Sequence, residues 1–510
     1  MAKLIVFGID GGNWELINPW IDNGLLPNIK KLRDGGCYSD HSSCLPPVTY
    51  PNWKCYSTGK NPGKLGVYRF DRIDCREKKL QLFNSKSFKS REIWDYMNAN
   101  GIKTGIINMP TTYPPKKVDG FMVSGGPDAT ETRYRSEISG YTYPDNFEKY
   151  LKEKFNYRLH PYPYLSSKND GEEEINSILE LIDMRYALAL DQVDKVDFLQ
   201  VTCFYINAMQ HFFWNGEPVK RAWMKIDKNI GKLIGKAEHI VMMSDHGCAK
   251  IEKVFYINRW LEKEGYLYLK NTIDDVFYNL GFSKENLLKL SKKLHLTKIL
   301  NKVTPEFLLK LFPREEGVKG ERKLDKVKWK NTVAVGSNQG PVYLNLDKSD
   351  EKYEKIREEI ITKLKKIDDP DTGKKIFANV YRKEDYYNGD YLSMGPDIII
   401  EQNKGVHISE GIGKGDVFSS TGNWEADNKM SGFFLAYGEG IKRGKKISKI
   451  KITDIAPTIL HMLGVSIPKD MDGRVLEDIF IPESKMDREI KYRDYGEKNQ
   501  ENDKISKKDE

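Results

Sequence analysis

An oxygen nucleophile set among hard and borderline metal ligands can do chemistry on phosphate, and this chain carries such parts. Asp10 ends the apolar run of LIVFGIDGG, where two glycines let the backbone turn and expose the carboxylate. Thr49 opens Thr49-Tyr50-Pro51-Asn52. Pro51 suits the first turn of a helix, a hydroxyl there faces free N–H groups where phosphates bind, and the Asn52 amide can donate to a phosphate oxygen. Asp245 and His246 end HIVMMSDHG, a carboxylate and an imidazole together at a strand end. His211 follows a third apolar run, with Asn207 four residues before it. Each residue also has a plainer explanation: a capping Asp for Asp10, an ordinary N-cap for Thr49, a capped turn for Asp245 and a core imidazole for His211.

The elements that must position these groups are those of a doubly wound α/β sheet, in which apolar runs alternate with amphipathic helices. The patterning predicts strands over Leu4–Ile9, Lys103–Met109, Phe121–Ser124, Phe198–Tyr205, His239–Met243, Val342–Leu346, Pro396–Glu401 and Phe433–Tyr437. It predicts helices over Glu92–Asn98, Val219–Ile234, Phe255–Glu264, Asp350–Ile367 and Asp454–Leu463. Ligands of open α/β sheets gather beyond the carboxyl ends of the strands, and Asp10, Asn207/His211 and Asp245/His246 all lie just past such ends.

Residues 1–483 are expected to form the core, interrupted by cap-like insertions at about 128–170 and 271–328. A charged tail, 484–510, is expected to be disordered. In the first insertion Tyr157, Arg158, His160, Tyr162 and Tyr164 offer rings for stacking and a cation for phosphate, or are simple packing and turn residues. The net charge of +8, from 82 basic and 74 acidic side chains, is mild, which argues for a solvated surface and against a nucleic-acid polymer as partner. The 6 cysteines include no C-x-x-C pair, which fits reduced thiols in a cytoplasmic protein. No leader pattern and no long apolar run are present, so neither secretion nor a transmembrane segment is expected.

Taken together, Thr49-Tyr-Pro-Asn52, Ser57-Thr-Gly-Lys-Asn-Pro-Gly-Lys64, Ser244-Asp-His-Gly247, Gly395-Pro-Asp397, Asp454 to Gly464 and Asp472-Gly473 resemble the alkaline phosphatase superfamily. The resemblance is strongest to its type I phosphodiesterase/nucleotide pyrophosphatase branch. It implies an alkaline-phosphatase-like mixed sheet with helices on both faces, and hydrolysis or transfer through a phospho-Thr49 intermediate. It also implies two divalent cations, usually Zn2+, with Mn2+ as an alternative. One would be held by Asp10, Thr49, Asp245 and His246. The other is normally held by an Asp and a His spaced i, i+4, plus a late His.

The chain departs from that pattern. Asn207 replaces the Asp of the pair with His211, Asn428 stands where the late imidazole is expected, and Leu65 replaces a His common after Pro-Gly-Lys. Neutral amides are poor zinc ligands, so the resemblance implies one sound cation site and one weakened, with transfer to an acceptor competing with hydrolysis. The substrate class is a small-molecule or lipid-linked phosphoester. A sulfatase is excluded because Cys44-Leu-Pro46-Pro-Val48 lacks the required Arg. The competing function is a non-catalytic binding or scaffolding protein on the same fold.

Overall fold

The computed structural model describes residues 1–125, 139–270, 321–420 and 422–496. At its centre lies strand Ala2–Ile9, whose apolar run is buried on both faces apart from Lys3. Parallel strands flank it on both sides, Phe198–Cys203 on one and Ala237–Met243 on the other. A central parallel strand covered above and below reads as a continuous apolar run. Ile5, Phe7 and Ile9 enter one core and Leu4 and Val6 the other, as the two-residue period of a strand requires.

The sheet has 10 strands. Beyond Phe198–Cys203 come Thr104–Ile107, Gly120–Val123 and the antiparallel Thr142–Tyr143. On the other side, Ser431–Gly438 runs antiparallel to Ala237–Met243, followed by Cys37–Ser42 and the short edge pieces Lys445–Lys446 and Ile450–Lys451. Helices Glu172–Gln192 and Glu217–Leu233 pack with one core; Ile93–Ala99, Thr49–Thr58 and Ile455–Met462 pack with the other.

A second, antiparallel sheet of 4 strands, Ala334–Gly336, Pro341–Leu344, Ile398–Gln402 and Phe377–Arg382, has its own core with helix Glu351–Lys365. The runs expected at Val342–Leu346 and Pro396–Glu401 are strands of this sheet rather than of the main one. Tyr205 begins a helix, Tyr205–Phe213, instead of ending a strand, and Phe255 and Tyr256 belong to strand Lys253–Tyr256, with the helix starting at Ile257.

The segments expected to stand apart from the core make extensive contacts with it where they are described. The described part of the first insertion is built into the fold: Thr142–Tyr143 extends the main sheet, and Tyr141, Leu151, Tyr157 and Leu159 lie in its core. The tail is ordered through residue 496. Tyr492–Arg493 pairs with Ile467–Pro468, Arg488 Nη2 donates to Met462 O at 2.8 Å, and the Tyr495 ring lies 4.7 Å from that of Tyr96. Charge along a segment did not prevent order, because a strand partner and two aromatic faces were available. Most of the second insertion, and residues 497–510, lie outside the described residues.

Candidate active site

Sheet register brings the first group together. Gly8 pairs with Met243 and Ile9 with Cys203, so the chain leaves three adjacent strands at one level, placing Asp10 beside Asp245. Asp10, Asp245 and His246 are fully buried, with one ligand atom of each lying within 4.8 Å of the others. Gly11 turns there with φ +69°, and a Cβ on it would stand 2.2 Å from Asn207 Oδ1; only glycine fits.

The hydrogen bonding leaves one side of the cluster unsatisfied. Asp10 Oδ2 accepts from Trp53 Nε1 at 3.0 Å, and Asp245 Oδ1 accepts from Gly11 N at 3.2 Å. Their other oxygens, Asp10 Oδ1 and Asp245 Oδ2, are buried and make no hydrogen bond. His246 donates from Nδ1 to Gly247 O at 2.9 Å, so its Nε2 lone pair faces inward, 3.1 Å from Asp245 Oδ2 and 3.6 Å from Asp10 Oδ1. Burial holds the His246 pKa down, to about 3, so these are not ion pairs. Burial pushes both carboxyls well above the usual range, and for Asp245 the neighbouring Asp10 adds to it. In their ionised forms, two bare carboxylate oxygens and an imidazole lone pair pointing at one place repel one another. A divalent cation removes the repulsion and favours the ionised forms, and the donor set, oxygens with one nitrogen, fits zinc or manganese.

Thr49 is the first residue of helix Thr49–Thr58, all of whose residues are buried. It does not cap the helix with its side chain. Its Oγ1 lies 3.3 Å from His246 Nε2, at the edge of the cluster. Asn52 departs from expectation: its Nδ2 donates to Cys44 O, Pro46 O and Val48 O at 3.1, 3.0 and 3.0 Å, and its Oδ1 accepts from Cys44 N at 2.7 Å. The amide is committed to the loop that delivers Thr49, because three converging carbonyls need its donors.

The second group also converges, in a different manner. Asn207 Nδ2 lies 3.3 Å from His211 Nε2 and donates to Asn428 Oδ1 at 3.2 Å. His211 donates from Nδ1 to Ala426 O at 2.8 Å, and its ring stacks on Trp424 with centroids 4.1 Å apart. Amide hydrogens thus occupy the directions that ligand lone pairs would need, and no carboxylate belongs to this trio.

A cavity of about 470 Å³ opens onto Thr49 and is bordered by Asn207, His211 and Asn428. Arg69, Tyr164, Tyr205, His407 and Trp424 also line it. Of the aromatic candidates in 157–164, Tyr164 alone borders the cavity: Tyr157 is a core residue, Tyr162 is exposed, Arg158 pairs with Glu180 at 2.5 Å, and His160 bonds the Tyr205 hydroxyl. Sequence reasoning missed Trp53, Arg69, His407, Trp424 and Asp427. None sits in a recognisable spacing; the one available signal was position, since Ala426–Lys429 directly precedes the predicted strand containing Phe433.

A family model described as type I phosphodiesterase / nucleotide pyrophosphatase matches residues 4–431. Among solved structures, the chain is similar to phosphonoacetate hydrolase from Sinorhizobium meliloti 1021. With phosphonoacetate bound the TM-score is 0.55, with 13% identity over 91% of this chain and 95% of that chain. With phosphonoformate bound the TM-score is 0.54, with the same identity and coverage. Murine ectonucleotide pyrophosphatase / phosphodiesterase 5, an inactive form in complex with AMP, gives 0.48 at 13% identity over 91% of this chain and 96% of that one. At such identities the likeness to phosphonoacetate hydrolase is one of fold. No curated protein sequence matches the chain.

Proposed function

Because the chain belongs to the type I phosphodiesterase/nucleotide pyrophosphatase family of phosphoester hydrolases, we propose that it cleaves or transfers a phosphoester through Thr49, beside one resident divalent cation. The substrate is a small-molecule or lipid-linked phosphoester, in keeping with the size of the cavity. No helix among the described residues is long and apolar enough to cross a membrane. The observation that carries this reading is the pair of buried, unpartnered oxygens, Asp10 Oδ1 and Asp245 Oδ2, beside His246 Nε2 and the Thr49 hydroxyl.

Asp10, Asp245 and His246 would hold the cation, zinc or manganese, and the Thr49 hydroxyl lies beside them. When bound, the cation supplies Lewis-acid stabilisation of charge on a phosphoryl oxygen. The chain does the rest. Trp53 and the Gly11 N–H aim the two carboxylates, and Asn52 fixes the loop before Thr49. Thr49 Oγ1 gives its proton to solvent and bonds to phosphorus while the ester oxygen leaves with the bonding electrons and takes up a proton; water then displaces Thr49, which recovers a proton and its hydroxyl. Asn207, His211 and Asn428 form the weakened half. Without a carboxylate there, water is poorly activated, phospho-Thr49 lives longer, and a bound alcohol competes with water as acceptor.

The test combines metal analysis with intact-mass and peptide mass spectrometry after exposure to bis(4-nitrophenyl) phosphate. The expected result is roughly one tightly held cation per chain and a phosphoryl adduct on Thr49 that is absent from Thr49→Ala. Two equally tight cations would overturn the weakened half. No cation and no adduct would replace catalysis with a binding or scaffolding role.

A further inference from the structure

We propose that His407, held by Asp427, moves protons to the leaving oxygen and from the attacking water in this cavity, in the role a second cation would otherwise fill. The proposal rests on the phosphoryl-transfer reading above.

The two residues lie on separate strands, Val406–Ser409 and Ala426–Lys429, which come together only in the folded chain. His407 donates from Nδ1 to Asp427 Oδ2 at 2.8 Å. Asp427 is 3% exposed, and both its oxygens are occupied: Oδ1 accepts from Gln339 Nε2 at 3.0 Å, and Oδ2 also accepts from Gln402 Nε2 at 3.0 Å. A carboxylate so fixed sets the tautomer and orientation of the imidazole it holds. The His407 ring packs beside Trp424, with centroids 5.7 Å apart. His407 Nε2 makes no hydrogen bond to a described residue, and the residue borders the same cavity as Thr49.

The remaining groups on the described cavity wall do not serve. His211 has Nδ1 on Ala426 O and Nε2 against Asn207. Arg69 is bound to Asp71 at 2.6 Å and to Ser337 at 3.2 Å, and a guanidinium does not give up its proton. Phenols exchange protons near neutrality far less readily than imidazole does. His407 therefore combines a free ring nitrogen, an orienting carboxylate and access to the reacting volume.

In the first step protonated His407 gives its Nε2 proton to the ester oxygen as the P–O bond breaks and Thr49 Oγ1 bonds to phosphorus; the Thr49 proton goes to solvent. In the second, neutral His407 takes a proton from water as the water oxygen bonds to phosphorus. Thr49 then leaves with the bonding pair and recovers a proton from solvent. The sum is an ester plus water giving an alcohol and a phosphate.

The experiment measures first-turnover release of phenol from diphenyl phosphate and of 4-nitrophenol from bis(4-nitrophenyl) phosphate. Nitrophenolate leaves without help, whereas phenolate needs a proton. His407→Gln is expected to slow diphenyl phosphate by about 100-fold or more and the nitrophenyl ester by no more than a few-fold, with bound metal and melting temperature unchanged. Asp427→Asn is expected to show the same selectivity at smaller size, and it decides the matter should His407→Gln not fold. Equal losses on both esters, or no loss, overturn the dyad and leave the Thr49 reading standing. If the wild-type chain releases neither phenol, the phosphoryl-transfer reading fails and the dyad with it.

Discussion

Two polar groups flank Thr49, one following the ends of two parallel strands and fully buried, the other set on a helix and a strand and bordering the cavity, and they arrive at opposite electrostatics. One half gathers Asp10, Asp245 and His246 with lone pairs converging and two oxygens unsatisfied. The other gathers Asn207, His211 and Asn428 with hydrogens directed at lone pairs, so it is satisfied as it stands. Buried polar groups are ordinarily paired, and leaving two carboxylate oxygens bare is costly. On the proposed reading a cation would complete the first half, while the second needs none.

The largest expected effects strike the first half. Thr49→Ala or Asp245→Asn should lower turnover by roughly 1,000-fold or more, and Asp245→Asn should also strip the cation, as read by metal analysis after dialysis. Turnover within a few-fold of wild type in either variant would refute the equation of the bare cluster with the reacting centre. Next comes proton linkage. Asp10 is pushed up to about 8 by burial, and Asp245 is also raised. Cation binding must displace the protons that these groups hold below that range. Apparent affinity should then tighten as pH rises from 6 to 8, by up to about tenfold per pH unit for each proton displaced, measured by competition with a chelator of known pH dependence. The sign for the metal-free chain is the reverse. Carboxyls raised above their unfolded values stabilise the fold at low pH, and that contribution is lost as pH climbs through about 8. A metal-free melting temperature that rises over the same interval would contradict the assignment.

The comparison can also be sharpened by repairing the weak half. Asn207→Asp should raise affinity for a second cation by about 10- to 100-fold, seen as added metal in titration calorimetry. Unchanged stoichiometry and affinity would show that Asn428 and the Trp424-stacked His211 block the position whatever residue 207 is.

The first half, and Asn207 of the second, were legible in the sequence because these residues follow three apolar runs, and strands that run parallel in one sheet end together. Asp10, Asn207, Asp245 and His246 needed only that rule. Asn428 came from a resemblance, and the fold does place it against Asn207. The loop role of Asn52 was not legible because sequence shows an amide near a hydroxyl but not the three loop carbonyls its donors reach. Trp53 lies one residue further on, yet nothing local indicates that its indole reaches Asp10. His407 and Asp427, 20 residues apart, meet through the pairing of separate small sheets, which no spacing encodes. The strands of the second sheet were found but placed in the first, since alternation of apolar residues specifies a strand and not its neighbours.

The smallest expected effect separates the halves most cleanly. Asn207→Ala removes a donor shared by His211 and Asn428 and leaves a buried carbonyl oxygen and an imidazole nitrogen unpaired. The cost should be about 1–3 kcal/mol of stability, read as a lower denaturant midpoint. If the second half is a hydrogen-bonded plug, metal content stays at the wild-type value, because no ligand of the resident cation has been touched. If Asn207 instead helps to hold that cation, bound metal falls along with stability. Asp10→Ala is the matching change in the first half, and it should do the opposite: relieve repulsion in the metal-free chain while abolishing metal uptake. Finding both variants equally stable and equally metal-poor would erase the distinction between the two halves.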